Sequence, residues 1–464
     1  MTVRCLDAGP TVDSAVTMIA AEPGGFALES TAAGPGGGRY SILGCDPVAE
    51  FVMCDGETQD WLDRLTRQVG PADLRYRHPD LPLVGGWIGF ITYEAGPALE
   101  SLICSKPRDI ALPAVYFSLY DTLAVFDHHT GVWWITAVDL PNCSHRPPAS
   151  RRMDRLITML QRTPAAPPVD WSRSVADEPR AVMSPGDYFD RLAAAKRYIS
   201  AGDIYQVNLT QRFTARTDAS PVELYRRLRI ANPGAYSALF TYGDSAVLSA
   251  SPELFLTLRD GVVVTRPIKG TRPRTGDPVL DDVRSWELLH SDKDRAELTM
   301  IVDLLRNDLG RVSEFGSVTV VSPGSLEAHP TVFHLVGTVR GKLRQEFDWA
   351  DLMRASFPGG SITGCPKIRA MQIIDEIEAT QRNVYCGSIG YIGLDGSMCL
   401  NIAIRTMVLD RGRLHLFGGG AIVADSQPEE EYEEILAKTE GMMRALRAGE
   451  PGKMRVCTTR ERRA

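Results

Sequence analysis

Strand-like and helix-like runs follow one another irregularly along this chain, and that irregularity limits what it can fold into. Val262-Val-Val264, Val318-Thr-Val-Val321 and Leu400-Asn-Ile-Ala-Ile404 are strand candidates. Asp294 to Gly310 puts Leu298, Ile301, Leu304, Leu305 and Leu309 on one helical face. Ser184-Pro-Gly-Asp-Tyr188 opens a second helix that runs to about Ser200, because Ser or Asp caps a helix and proline is tolerated at its start. Glu429 to Leu446 forms a third. A regular barrel needs regular alternation, so this order favours an α+β or mixed α/β fold. No repeat with a period of about 20–50 residues is present.

Composition shifts from Pro141 to Pro185, which is rich in proline, arginine and serine with one amphipathic helical piece near Arg155 to Gln161. Such a stretch between periodic segments reads as a linker or surface excursion. It separates a glycine-punctuated first part, residues 1–140 with Gly34-Pro-Gly-Gly-Gly38, from a second part over 186–450; residues 451–464 are a tail.

With 464 residues, 44% hydrophobic and 23% charged, the chain is long enough for a large core. Net charge is −7, so no basic footprint points to nucleic acid or anionic membrane, and an anionic substrate would need a local basic pocket. The nine cysteines include no Cys-x-x-Cys, which fits reduced thiols in a cytoplasmic protein better than a disulfide framework or a zinc site. No signal peptide is legible in Met-Thr-Val-Arg-Cys-Leu-Asp, and no apolar run reaches the roughly 18 residues of a membrane span.

Several constellations carry chemistry. Lys269 lies between Pro267 and Gly270, which hold it in a defined local geometry; beside other cations or buried, a lysine becomes an amine nucleophile. Glu431 and Glu434 share a helix face with Lys438, and Glu297 stands near the start of another helix. Three carboxylates would suit Mg²⁺, although a crowded acidic helix is equally a solvated surface. Pro358-Gly-Gly-Ser-Ile-Thr-Gly-Cys-Pro-Lys367 precedes a helix but has Pro366 where a phosphate loop needs lysine. Gly418-Gly-Gly420 is either a backbone nest or a tight turn. Arg405, inside the apolar run Ile402 to Val408, is a structural ion pair or a fork for a carboxylate. His334 in an apolar run is a core residue or a catalyst, and a bare Glu253 would be placed on the surface.

Taken together, the runs Asp203-Ile-Tyr-Gln-Val-Asn-Leu-Thr210, Ser251-Pro-Glu253, Arg266-Pro-Ile-Lys-Gly-Thr271, Glu297 to Asp308, Pro358 to Lys367, Cys386-Gly-Ser-Ile-Gly-Tyr391, Ile404-Arg-Thr406 and Gly418 to Lys438 resemble the chorismate-utilising enzymes. That family includes anthranilate, aminodeoxychorismate, isochorismate and salicylate synthases. Gly85-Gly-Trp-Ile-Gly-Phe-Ile-Thr-Tyr-Glu94 extends the resemblance, more loosely, into an N-terminal anthranilate-synthase-like region. It implies two large β-sheets packed together with helices outside. It further implies Mg²⁺ on Glu297, Glu431 and Glu434, and chorismate held by Tyr385, Arg405, Gly419, Gly420 and Lys438, with Thr271, Ser361 and His334 beside it. Glu253 would protonate the leaving hydroxyl.

Members diverge at a few positions. Salicylate and isochorismate synthases carry a general-base lysine where this chain has Gln206, and anthranilate synthases carry alanine where it has Lys269. Pro267-Ile-Lys-Gly-Thr271 resembles the aminodeoxychorismate branch. There Lys269 would attack the ring and ammonia would displace it, with desolvation and nearby cations such as Arg272 or Arg274 keeping the amine neutral. The chain has no Gly-x-Cys-x-Gly elbow, so ammonia is expected from a separate glutamine amidotransferase subunit. A tryptophan pocket would lie between Leu28-Glu-Ser30 and Asn232-Pro-Gly-Ala-Tyr236. The rival expectations are anthranilate formation and a non-catalytic ligand-binding subunit.

Overall fold

The computed structural model describes residues 1–449 apart from 7, 33–37, 55–57, 103, 142, 144 and 330–331. Most of the Gly34–Gly38 run and the whole 451–464 tail therefore lie outside the described residues. Among the described residues, two large antiparallel sheets form the molecule, one of twelve strands and one of ten. Helices cover them, as an α+β fold requires.

Both sheets are assembled from distant parts of the chain. In the larger one, Phe26–Glu29 pairs with Tyr236–Tyr242, followed in order by Ser245–Ser251, Thr406–Asp410, Arg413–Ile422 and Gln206–Arg216. In the smaller one, Gly86–Ile91 pairs with Ser388–Gly393, and the far edge holds Val262–Arg266, Val332–Lys342 and Ile268–Pro273. The 141–185 stretch contributes helix Ala149–Arg162, whose Met153, Leu156, Ile157 and Leu160 are buried.

The long helices form where their caps and apolar faces dictate. Ser184 caps Pro185–Ser200 through a capping box with Asp187. Ser291 caps Asp292–Gly310, which buries Leu298, Ile301, Val302, Leu305 and Leu309. Pro428–Leu446 has Glu429, Glu430 and Glu431 in its first turn, where they complement the helix dipole.

Two expectations change here. The run from Leu400 to Val408 is not one strand. Met398–Asn401 belongs to the smaller sheet and Thr406–Asp410 to the larger, so residues 402–405 cross between them. Arg405 sits in that crossing with φ 52° rather than in a ladder. Gly418-Gly-Gly420 is neither nest nor turn. It is extended within Arg413–Ile422 and pairs with Gln211, Thr210 and Leu209.

Candidate active site

A second crossing lies beside the first. Ser245–Ser251 ends in the larger sheet and Leu254–Arg259 begins in the smaller one, which leaves Pro252 and Glu253 between them. The crossings are tied together: Ile402 N donates to the Glu253 carbonyl at 3.0 Å, and Ser251 Oγ donates to the Ile402 carbonyl at 2.6 Å. The seam between the sheets therefore presents Glu253 and Arg405 to one cavity of about 1190 Å³.

Glu253 is buried, not on the surface. Burial raises its carboxyl to about 7, although the Ser361 hydroxyl and the nearby Lys269 pull the other way. Ser361 Oγ donates to Glu253 Oε1 at 2.6 Å, and the Ser361 carbonyl accepts from Lys269 Nζ at 3.1 Å. One residue of the glycine-rich loop thus holds both side chains.

Lys269 projects from strand Ile268–Pro273, which pairs irregularly with Val332–Lys342 between Lys269 and Thr271. Gly270 makes that irregularity possible. It has φ 75°, and a Cβ there would lie 2.7 Å from Leu288 Cδ1 and 2.8 Å from Asp294 Cγ. The Lys269 side chain lines the cavity. Surrounding protein lowers its proton affinity, as does Lys438, against the opposing pull of Glu297, Glu253 and Glu434. Arg272 and Arg274 do not serve this purpose: they face Asp294 at 3.0 Å and Asp281 at 3.6 Å, so their charge is already paired.

On the same pair of strands, Thr271 Oγ1 and His334 Nδ1 share a hydrogen bond of 2.9 Å. Burial, with His329 and Arg405 nearby, drives His334 down to about 3, so it is neutral at any working pH. Arg405 donates to the Lys438 carbonyl and has no carboxylate partner among the described ion pairs, which leaves a guanidinium available to an anion. Lys438 Nζ donates to the Gly419 carbonyl at 3.0 Å. Tyr385 stacks on Phe417 at 5.2 Å, and its hydroxyl lies 2.9 Å from where a Gly419 Cβ would stand, so only glycine admits it. Gly420 points elsewhere, toward Glu431.

The three expected metal ligands all act on one ammonium, that of Lys293. Glu297 and Glu434 line the cavity; Glu431 is buried behind it. Each has an ammonium neighbour: Lys269 for Glu297, Lys293 at 3.6 Å from Glu431, and Lys438 at 2.6 Å from Glu434. Burial and the Glu434 charge raise Glu297 against the pull of Lys269 and Lys293. Among the described residues no three carboxylate, imidazole or thiolate groups are already gathered as a cation cage. The donor set, carboxylate oxygens with no nitrogen or sulfur, still fits a hard divalent ion such as Mg²⁺.

A model of the chorismate binding enzymes matches residues 28–444. The chain belongs to the chorismate-binding enzymes. It is 39% identical over 441 residues to aminodeoxychorismate synthase component 1 of Klebsiella aerogenes, covering 92% of this chain and 95% of that one. It is 37% identical over 454 residues to anthranilate synthase component 1 of Pseudomonas aeruginosa, covering 93% and 92%. The crystal structure of anthranilate synthase component I from Streptococcus pneumoniae superposes with a TM-score of 0.78 at 33% identity, over 89% of this chain and 93% of that one.

Within this chorismate-binding fold, two cavity residues carried no signal strong enough to single them out. Asn208 donates from Nδ2 to the carbonyls of Ser361 and Thr363, at 3.3 and 3.2 Å, and so braces the loop that holds Glu253 and Lys269. Lys293, the ammonium beside Glu431, is one charge in a helical turn rich in charge. The two segments of the expected tryptophan pocket are neighbours: Glu29 pairs with Ser237, the residue after Tyr236, and Thr31 N, the residue after Ser30, donates to the Gly234 carbonyl at 2.9 Å.

Proposed function

We propose that this chain is the chorismate-converting component of an aminodeoxychorismate synthase, making 4-amino-4-deoxychorismate from chorismate and ammonia. Similarity alone does not separate that product from anthranilate, because relatives with either name lie at 39% and 37% identity. The observation that carries the choice is Lys269, bonded to the Ser361 carbonyl while the Ser361 hydroxyl holds Glu253 in the same cavity.

The reaction follows from those two groups. Burial favours the neutral amine of Lys269 and the protonated acid of Glu253, so the pair is set for attack and proton donation. Lys269 Nζ attacks ring carbon 2; the two conjugated ring double bonds shift in turn, from 1,2 to 1,6 and from 5,6 to 4,5, and the hydroxyl at carbon 4 leaves as water with the Glu253 proton. Ammonia then attacks carbon 4 and the amine departs from carbon 2. A proton lost by the incoming nitrogen restores Glu253, and the enolpyruvyl group is retained. Arg405, Lys438 and the Tyr385 hydroxyl are disposed to hold the carboxylates, and neutral His334, fixed by Thr271, would pack against the ring. Mg²⁺ on Glu297, Glu431 and Glu434 would neutralise the ring carboxylate, with the lysines now beside those glutamates giving way.

Ammonia is expected from a glutamine amidotransferase subunit, in keeping with relatives named as a component 1. No helix among the described residues is long and apolar enough to cross a membrane, which is in keeping with a cytoplasmic enzyme. Titration with tryptophan tests the pocket at Glu29 and Tyr236. The product assay uses chorismate, Mg²⁺ and ammonium chloride: accumulation of 4-amino-4-deoxychorismate is expected, and fluorescent anthranilate with release of pyruvate contradicts it. Turnover should vanish on chelation with EDTA and return with Mg²⁺; turnover indifferent to EDTA removes the metal from the scheme.

A further inference from the structure

Helix Pro278–Leu289 is amphipathic with its apolar side outward. Val279, Val283 and Trp286 follow at spacings of four and three residues, so they share one face. They are 72%, 49% and 62% exposed. His290, next in that series, stacks on Trp286 at 4.3 Å and extends the stripe. The side turned inward carries Leu288, fully buried, and Asp281, which accepts from Thr275 N at 2.7 Å and Thr275 Oγ1 at 2.9 Å. Exposed Asp282 and Glu287 flank the stripe. A tryptophan-centred apolar strip edged by carboxylates has the anatomy of a protein interface, with a desolvated core and a polar rim.

Its position says what should cover it. Thr275 and Gly276 before the helix, and Ser291, Lys293 and Asp294 after it, line the catalytic cavity. Beneath it, Leu288 packs in the space left by the missing Cβ of Gly270, next to Lys269. The stripe therefore borders the mouth through which a small neutral nucleophile must be handed in, and whatever docks there presses on the lysine strand. We propose that the outward face of helix Pro278–Leu289 is the docking surface for the nitrogen-supplying glutaminase subunit, which would offer an apolar groove edged by basic side chains. This rests on the reading that the chain takes ammonia from such a partner.

The test uses the full chain carrying Trp286→Glu and Val283→Glu, singly and together, with a glutamine amidotransferase subunit from the same organism. Chorismate turnover is measured with ammonium chloride and with glutamine, and affinity for the subunit by calorimetry. Ammonium-dependent turnover within about twofold of wild type is expected. Affinity and glutamine-dependent turnover should fall at least about tenfold. Unchanged affinity and glutamine use in the double variant overturn the surface and leave the partner reading standing. A wild-type chain that uses ammonium but never glutamine with that subunit removes the partner reading, and the surface with it. Loss of ammonium-dependent turnover in a folded variant assigns the helix to the chemistry instead. A wild type that is dimeric alone, and monomeric as Trp286→Glu, assigns the face to a second copy; either result overturns the proposal.

Discussion

At the scale of single residues, Ser361 sets the working pH of the site. Its hydroxyl stabilises the ionised form of Glu253, so its removal should raise that carboxyl further above about 7. The alkaline limb of kcat/KM, where activity falls as Glu253 loses its proton, should move to higher pH in Ser361→Ala and return in Ser361→Thr; an unmoved limb contradicts the assignment. The same burial carries a stability cost of definite sign. A carboxyl raised from 4.5 to about 7 is penalised only where it ionises, so the cost is absent below about 4.5 and complete above about 7. Thermal melts of Glu253→Gln should gain on wild type as pH rises through that window, and a gain independent of pH contradicts it. Neutral His334 adds no limb of its own. The sequence exposed Glu253, Lys269, Arg405 and His334 as candidates because their neighbours form recognisable runs. Burial, the main cause of the lysine's lowered proton affinity, was expected, but not the cation that adds to it: Arg272 and Arg274 are near in the chain but paired to Asp294 and Asp281, while the charge acting on the amine is that of Lys438, far along the chain.

At the scale of elements, the loop from Pro358 to Lys367 transmits structure to the site. Lys367 Nζ donates to Asp308 Oδ2 at 2.6 Å and to the Ser356 carbonyl at 2.9 Å, which pins the Ser361 loop to the helix bearing Glu297. Lys367→Met leaves Asp308 buried without its partner and should cost about 3–5 kcal/mol, read from urea denaturation. Adding Asp308→Leu should recover part of it; no recovery contradicts a buried pair. Gly270→Ala meets both a left-handed backbone and Leu288, so a loss of about 1–3 kcal/mol and a fall in kcat are expected. Helices at 185–200, 292–310 and 428–446 were legible from caps and apolar spacing. The break at residues 402–405 was not. An apolar run looks the same whether it continues one strand or passes between two buried sheets, and only hydrogen bonds to distant Glu253 and Gly387 distinguish the cases.

At the scale of the molecule, the α+β class was readable from the irregular order of elements, whereas the pairing of Phe26–Glu29 with Tyr236–Tyr242 and of Gly86–Ile91 with Ser388–Gly393 was not, since no local signal records a partner some 200 to 300 residues away. Those pairings make strands from the first 140 residues one whole end of each sheet, so without them both sheets lose the strands that cover an inner edge. A fragment of residues 186–450 should therefore fail to give a cooperative melt, and a stable folded fragment contradicts that interdependence. The proposed product rests on one side chain in the assembled seam, so the most direct test is the product of Lys269→Ala with chorismate, Mg²⁺ and ammonium chloride. A covalent lysine requires that 4-amino-4-deoxychorismate formation be lost while the protein stays folded, with any residual turnover diverted to anthranilate. Wild-type rates of 4-amino-4-deoxychorismate formation by that variant would contradict it.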